Sequence, residues 1–279
     1  MSRRAPGGRP GHRSPRRDRE LEAGSLAHYD DAAYYTATYA GRIEDVAYYV
    51  SLATRAGGPV LEYGIGNGRI ALPIARHGVE VVGVDHSPAM LADLRARLKM
   101  EPADVRRRVR AVRGDMRRAR LGRRFPLVLA TFNTALHLYA RTDVERFFSR
   151  VREHLGQGGK FVVDLSVPMP SDLARDPSRA HHAPRFRHPS AQVMVKNREY
   201  FDYDPVRQVL FVSSEFEAVD DASRAWTTPL AHRQFFPQEW EALLHYNGFE
   251  VERVEGDFSG GPLTKDSDVM IWHTRSILR

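Results

Sequence analysis

The chain has 279 residues, 42% of them hydrophobic, which is enough to fill a core and excludes a wholly disordered polypeptide. The net charge is +7, but residues 1–20 hold seven arginines against Asp18 and Glu20, so most of the excess sits in one short stretch and not on a binding face. Cysteine is absent, which excludes disulfides, thiolate metal sites and cysteine nucleophiles; there is no apolar run of transmembrane length, and no apolar stretch of a secretory signal follows the Arg-rich start. A soluble cytoplasmic protein with no membrane partner is expected, as a monomer or a homodimer.

In chain order, residues 1–24 read as a disordered basic tail of Gly, Pro, Arg and Ser without periodicity. Residues 25–56 gather six tyrosines (Tyr29, Tyr34, Tyr35, Tyr39, Tyr48 and Tyr49) in one or two helices, stopped by Gly57 and Gly58. Strands are then predicted at 60–63, 79–84, 109–112, 126–131 and 161–165. Helices are predicted at 70–76, 88–98 and 144–155, the last ended by Gly156 and the Gly158–Gly159 pair. Residues 79–84 are apolar except for Glu80, the mark of a strand buried on both faces. Strands alternating with helices imply a parallel, doubly wound sheet.

The rhythm then changes. Residues 167–190 contain Pro168, Pro170, Pro177, Pro184 and Pro189 and read as loop, with His181 and His182 solvated and no metal site. Residues 193–203, 209–216 and 225–233 alternate as antiparallel strands, an inserted β cap. A helix at 238–247, stopped by Gly248, and strands at 250–255 and 268–274 complete the chain. The expected division is tail 1–24, helical lid 25–56, core 57–166, cap 167–233 and a return to the core at 234–279. A second arginine cluster, ten in residues 106–124, belongs to a chain with 38 arginines and four lysines. That skew follows coding composition, and nucleic acid is not expected as a partner.

Residues 60–69 read V-L-E-Y-G-I-G-N-G-R, with glycines at 64, 66 and 68 between a strand and a helix. Such a turn lets a ligand approach the backbone, and the helix start offers free amides. A mononucleotide loop would need Lys followed by Ser or Thr, which is missing, and a dinucleotide turn would place its third glycine at Arg69. Glu62 before the first glycine and Asp85 at the end of the next strand fit a different ligand, since a carboxylate can accept both hydroxyls of a ribose diol.

These residues, with H-S-P-A-M-L after Asp85 and R-G-D-M at 113–116, resemble the class I S-adenosylmethionine-dependent methyltransferases over roughly residues 25–165 and the last two strands. The resemblance implies a Rossmann-like seven-stranded sheet with its last strand antiparallel, and S-adenosylmethionine as cofactor. It implies that Glu62, Gly64, Gly66, Asn67 and Gly68 form the methionine-side turn. Asp85 would bind the ribose with His86 and Met90 beside the adenine, and Asp115 would accept from the adenine amine with Met116 near the ring. Phe132 and Asn133 would line the pocket near the sulfonium. Y-A-G-R at 39–42 looks like a segment of sugar-amine N,N-dimethyltransferases, and glycine N-methyltransferase-like enzymes close an N-terminal helix over the cofactor. Arg42 would then pair with the methionine carboxylate through its bidentate fork. Tyr34 and Tyr39 would line the transfer site.

Transfer is an in-line displacement, and a hydroxyl acceptor usually needs a base; His137, in F-N-T-A-L-H-L-Y, is the candidate, with Tyr139 in the same segment. T-F-N-T after the fourth strand differs from the N-P-P-Y type of nucleic-acid amine methylases, and no catechol-type metal triad is evident. Two readings stand. One is a small-molecule N- or O-methyltransferase acting on a metabolite or natural product, with N favoured. The other is an RNA or protein methyltransferase anchored by the Arg-rich tail.

Overall fold

The computed structural model describes residues 19–277. The chain opens with three helices, α1 (Arg19–Asp30), α2 (Ala32–Thr38) and α3 (Glu44–Ala56). Residues 19–24, expected to belong to the tail, are part of α1. Residues 1–18 lie outside the described residues.

The core follows as β1 (Val60–Tyr63), α4 (Ala71–Arg76), β2 (Val81–Asp85), α5 (Pro88–Met100), α6 (Ala103–Arg108), β3 (Val109–Arg113) and β4 (Phe125–Ala130), then a 3-10 turn over Thr134–His137, α7 (Arg141–His154) and β5 (Leu155–Ser166). A short helix, α8 (Pro170–Leu173), leads to the cap strands β6 (His181–Arg187), β7 (Met194–Asp204), β8 (Val209–Ala218) and β9 (Ala225–Arg233). The chain returns through α9 (Pro237–Tyr246), β10 (Phe249–Glu255) and β11 (Val269–Ser276).

Seven strands form one sheet in the order β10-β11-β5-β4-β1-β2-β3, parallel except for β11, which runs antiparallel to both its neighbours. Apolar side chains cover both faces. Tyr49 and Ala53 of α3, Ile74 of α4 and Leu91 and Leu94 of α5 pack on one. Phe147, Phe148 and Val151 of α7 and Trp240 and Leu244 of α9 pack on the other. The reversal of strand order beside β1 opens a crevice at the carboxyl ends of β1, β2 and β4, where ligands of such sheets bind.

The cap is a separate four-stranded antiparallel sheet, β6-β7-β8-β9. The stretch expected to be loop contains β6, so His181 and His182 stand on a strand; His181 is half-buried and His182 exposed. The prolines misled here for a physical reason. Pro184 lacks an N–H, and the β6–β7 register shifts between Ala183 and Phe186, which lets an edge strand carry it. Gly156, Gly158 and Gly159 do not stand between helix and strand as expected. β5 begins at Leu155, and the glycines lie in its irregular start, where Phe125 pairs with Leu155 but Leu127 with Lys160. Helix α6 was not legible because its only buried side chain is Val105.

The lid is fastened to the cap. Gly24 of α1 lies directly on Ala231 of β9, where a Cβ would come within 2.6 Å of the alanine methyl. Among the described residues no helix is long and apolar enough to cross a membrane.

Candidate active site

All three glycines of the turn after β1 have positive φ: 74° at Gly64, 53° at Gly66 and 82° at Gly68. At Gly64 a side chain is excluded twice, since a Cβ would also fall 2.2 Å from Thr134 Oγ1. The Gly66 amide donates to Asp85 Oδ2 at 2.7 Å, and the Ser87 amide donates to Oδ1 at 2.8 Å. Asp85 is thus fixed at the end of β2, facing the turn. Burial pushes its carboxyl up and the two amides oppose that. Met90 is buried with its methyl against Gly66, whereas His86 is exposed.

Glu62 is 1% exposed and is pushed up to about 8 by burial. Thr131 Oγ1 donates to its Oε1 at 3.1 Å, while Oε2 is buried with no partner. A buried acceptor without a donor is costly, and a bound cation or N–H would satisfy it. Asn67 is occupied differently: its amide donates to Thr36 Oγ1 of α2 at 2.9 Å and so ties the lid to the turn. Asp115 accepts from Arg117 through both oxygens, at 2.8 to 3.1 Å, and Met116 packs on the core beside it.

Phe132 and Asn133 follow β4 in the left-handed region, at φ 50° and 66°. Two such non-glycine residues are strained by roughly 1–3 kcal/mol each and need outside support. Asp164, buried on β5, supplies it by accepting from the Phe132 amide at 2.9 Å. Asn133 is held through its side chain to Ser166, at 2.7 and 2.9 Å. The turn places the Phe132 ring beneath two guanidiniums, Arg42 at 4.5 Å and Arg69 at 4.9 Å. Both arginines bind the fully buried Asp45: Arg69 bidentate at 2.7 Å, Arg42 through Nε at 2.9 Å. Among the described residues, the terminal nitrogens of Arg42 have no hydrogen-bond partner, so its fork is open.

The candidate base, His137, sits behind this region. Its Nε2 pairs with Tyr29 Oη at 2.8 Å and its Nδ1 with Tyr139 Oη at 3.2 Å. Tyr139 donates to the Ala231 carbonyl at 2.8 Å. The Tyr139 oxygen therefore accepts from Nδ1–H, which leaves Nε2 to accept from Tyr29. Burial lowers His137 to about 4, so it is neutral at neutral pH and both nitrogens are engaged. Tyr29 stands between it and the crevice; the Tyr29 carbonyl accepts from Ser87 Oγ at 3.3 Å, and the Asp85 charge reaches its phenol. Tyr35, Tyr39 and Phe132 cluster edge to face, with Tyr39 4.8 Å from each of the others. Tyr39 pairs with His28 Nε2 at 3.1 Å, and burial pushes its phenol up to about 12. Tyr34 has moved away from that group: it stacks on His188 at 5.1 Å within the cap's aromatic core.

Sequence reading thus missed Asp45, Arg69, Asp164 and Tyr29. Arg69 was visible only as a residue in the wrong place for a dinucleotide glycine, and Asp45 only as an acid three residues after Arg42. In the second arginine cluster, Arg108, Arg117, Arg120 and Arg123 form ion pairs. Arg117, Arg118, Arg120, Arg146, Ser149 and Arg150 line a surface cavity of about 310 Å³, where Asp115, Asp143 and Glu153 meet the charge. Among the described residues no group of three His, Asp or Glu is placed to hold a metal.

Residues 60–159 match a methyltransferase domain family. The whole chain is similar to the CcbJ methyltransferase from Streptomyces caelestis, at 25% identity over 93% of this chain and 99% of that one, with a TM-score of 0.74. The chain has the class I methyltransferase fold and is an S-adenosylmethionine-dependent methyltransferase by activity. This methyltransferase is also similar to the glycopeptide N-methyltransferase MtfA complexed with S-adenosylmethionine, at 25% identity over 83% and 86% of the two chains, TM-score 0.59. It shares its fold with CalS10, an amino pentose methyltransferase from Micromonospora echinaspora, at 23% identity over 87% and 96%, TM-score 0.64. Comparison with curated protein sequences gives no match.

The site fits the cofactor on its own chemistry. The orphaned Glu62 oxygen suits an ammonium, the open Arg42 fork a carboxylate, and the Asp85 carboxylate a diol, all around a turn whose glycines leave room for the ligand.

Proposed function

We propose that this methyltransferase acts on an amine of a small molecule, a metabolite or natural product. In this reading Glu62 and Arg42 hold the amino-acid end of the cofactor and Asp85 its ribose. Met90, His86, Asp115 and Met116 surround the adenine, with Arg117 sharing Asp115. Bound S-adenosylmethionine would supply an electrophilic methyl group to the lone pair of the neutral amine and leave as S-adenosylhomocysteine, the amine's extra proton passing to solvent. The enclosing parts serve positioning and water exclusion.

The observation that carries the reading is Tyr39. Its ring leans on Phe132, above which Arg42 lies, and its phenol also feels the charge of Glu199 on the cap. The space beside the cofactor's amino-acid end is therefore walled by rings, which favours a compact acceptor over an extended polyanion. The relatives point the same way, one being a glycopeptide N-methyltransferase and another an amino pentose methyltransferase. His137, neutral and covered by Tyr29, then holds the lid in position and does not take the acceptor's proton.

The test is turnover with matched pairs of acceptors that differ only in an amine or a hydroxyl at one carbon. Methylation of the amine member is expected. Methylation of the hydroxyl members alone would overturn the reading.

A further inference from the structure

The two strands that complete the sheet, β10 and β11, are joined by the loop 256–268. Asp257 shapes it locally: its Oδ1 accepts from the Ser259 amide at 2.7 Å and from the Gly261 amide at 3.0 Å. The Gly256 amide donates to the Gly261 carbonyl at 2.8 Å, and Ser267 Oγ accepts from the Thr264 amide at 3.1 Å. The root of the loop is anchored as well. Glu255, buried at the end of β10, accepts from Tyr48 of α3 and pairs with Arg253 at 2.8 Å. A loop closed by its own backbone in this way presents its one aromatic side chain, Phe258, at a fixed place beside α3. There Phe258 meets Tyr48 and Tyr49 edge to face, with ring centres 5.6 and 6.2 Å away.

Phe258 also meets Arg42. The guanidinium carbon stands 5.4 Å from the Phe258 ring centre and 4.5 Å from that of Phe132. Two rings from segments far apart in the chain therefore bear on one cation. Asp45 holds that cation by a single hydrogen bond to Nε, at 2.9 Å. One such bond fixes where the guanidinium sits but leaves its plane free to turn, and a long side chain that is 34% exposed has solvent to turn into. Ring faces attract the guanidinium and restrict its plane. Being uncharged, they do not compete for the terminal nitrogens.

We propose that Phe258 is a positioning residue of the cofactor site: together with Phe132 it holds Arg42 so that the open edge of the fork stands ready for a carboxylate. A fork already fixed loses less rotamer freedom on binding than a mobile one. The inference rests on the reading above in which Arg42 holds the amino-acid end of the cofactor. It adds the β10–β11 loop to the site, well beyond the matched residues 60–159.

The test is calorimetry on the full-length protein with two ligands that differ in one group, S-adenosylhomocysteine and its decarboxylated analogue S-adenosyl-3-thiopropylamine. The wild type is expected to prefer the ligand with the carboxylate. Phe258→Leu keeps an apolar side chain against Tyr48 and Tyr49 and removes the ring face. It should weaken S-adenosylhomocysteine about three- to tenfold, the range of a partly desolvated cation–π contact, and leave the analogue within about twofold. Phe258→Tyr restores a ring and should bind both ligands as the wild type does; Phe258→Met replaces the leucine variant should that protein not fold. Unchanged S-adenosylhomocysteine affinity without the ring would overturn the proposal, and so would an equal loss for both ligands, which would mark a purely structural role. Arg42→Ala separates the broader reading from this one. If Arg42→Ala keeps the preference for the carboxylate, or the wild type has none, Arg42 does not hold that end, whatever stands at position 258. If Arg42→Ala abolishes the preference and Phe258→Leu leaves it intact, only the role of Phe258 falls.

Discussion

Between Val60 and Asp85 the groups proposed to face the cofactor follow one another along the chain, and the backbone sets their geometry: Gly66 N–H fixes Asp85, and the glycines keep side chains out of the turn. The proposed acceptor side is assembled from α1, α2, the turn after β4 and the cap, with contacts such as Tyr29 to His137 that join residues 108 apart. Its side chains hold one another: Asp45 grips two arginines, and Asp164 holds the strained turn that carries Phe132. A cofactor common to many enzymes can be read by a short piece of backbone. A particular acceptor needs a surface that separate segments can vary independently.

The contrast can be broken at its strongest point first. Gly64→Val adds a side chain at positive φ against Thr134 and should cost about 3 kcal/mol or more of unfolding free energy in urea; a loss under about 1 kcal/mol would show that the turn is not fixed by backbone shape. Asp85→Ala should weaken S-adenosylmethionine and S-adenosylhomocysteine by about 1.5–3 kcal/mol in calorimetry, the loss of hydrogen bonds to a charged group. Unaltered affinity would move the ribose elsewhere.

Glu62 gives a smaller, pH-dependent effect. Its carboxyl is raised to about 8 by burial, above its unfolded value, so the folded protein binds the extra proton between the two values and stability falls as pH rises through that window. A ligand ammonium favours the ionised form, so binding releases this proton. S-adenosylhomocysteine affinity should then increase from about pH 6 to about pH 8 and level off above, and Glu62→Gln should flatten the curve. A wild-type curve already flat would detach Glu62 from the ligand's amino group. The smallest effect is expected from deleting residues 1–18, which should leave turnover unchanged; a large fall would favour a macromolecular acceptor held by the basic segment.

The same contrast explains what the sequence disclosed. The V-L-E-Y-G-I-G-N-G run and Asp85 were legible because their geometry is local, and the core strands were located to within a few residues except β5, whose irregular glycine-bearing start at Leu155 was not foreseen. Strand β6 was hidden by Pro184, whose tolerance depends on an edge and a bulge that no local pattern reveals. Tyr34 and Tyr39 looked equivalent in sequence, yet one helix turn sends Tyr34 into the cap's aromatic core and Tyr39 onto Phe132. Arg69 and Asp45 meet only after α3 has packed beside the turn, so neither announced the other.

The seam where Gly24 meets Ala231 leaves no room for a larger side chain at Gly24. Helix α1 carries Tyr29, whose carbonyl accepts from Ser87 Oγ beside Asp85, and the same helix is seated on the edge of the cap. A bulkier residue at position 24 would therefore push α1 away from β9 and draw Tyr29 off the end of β2.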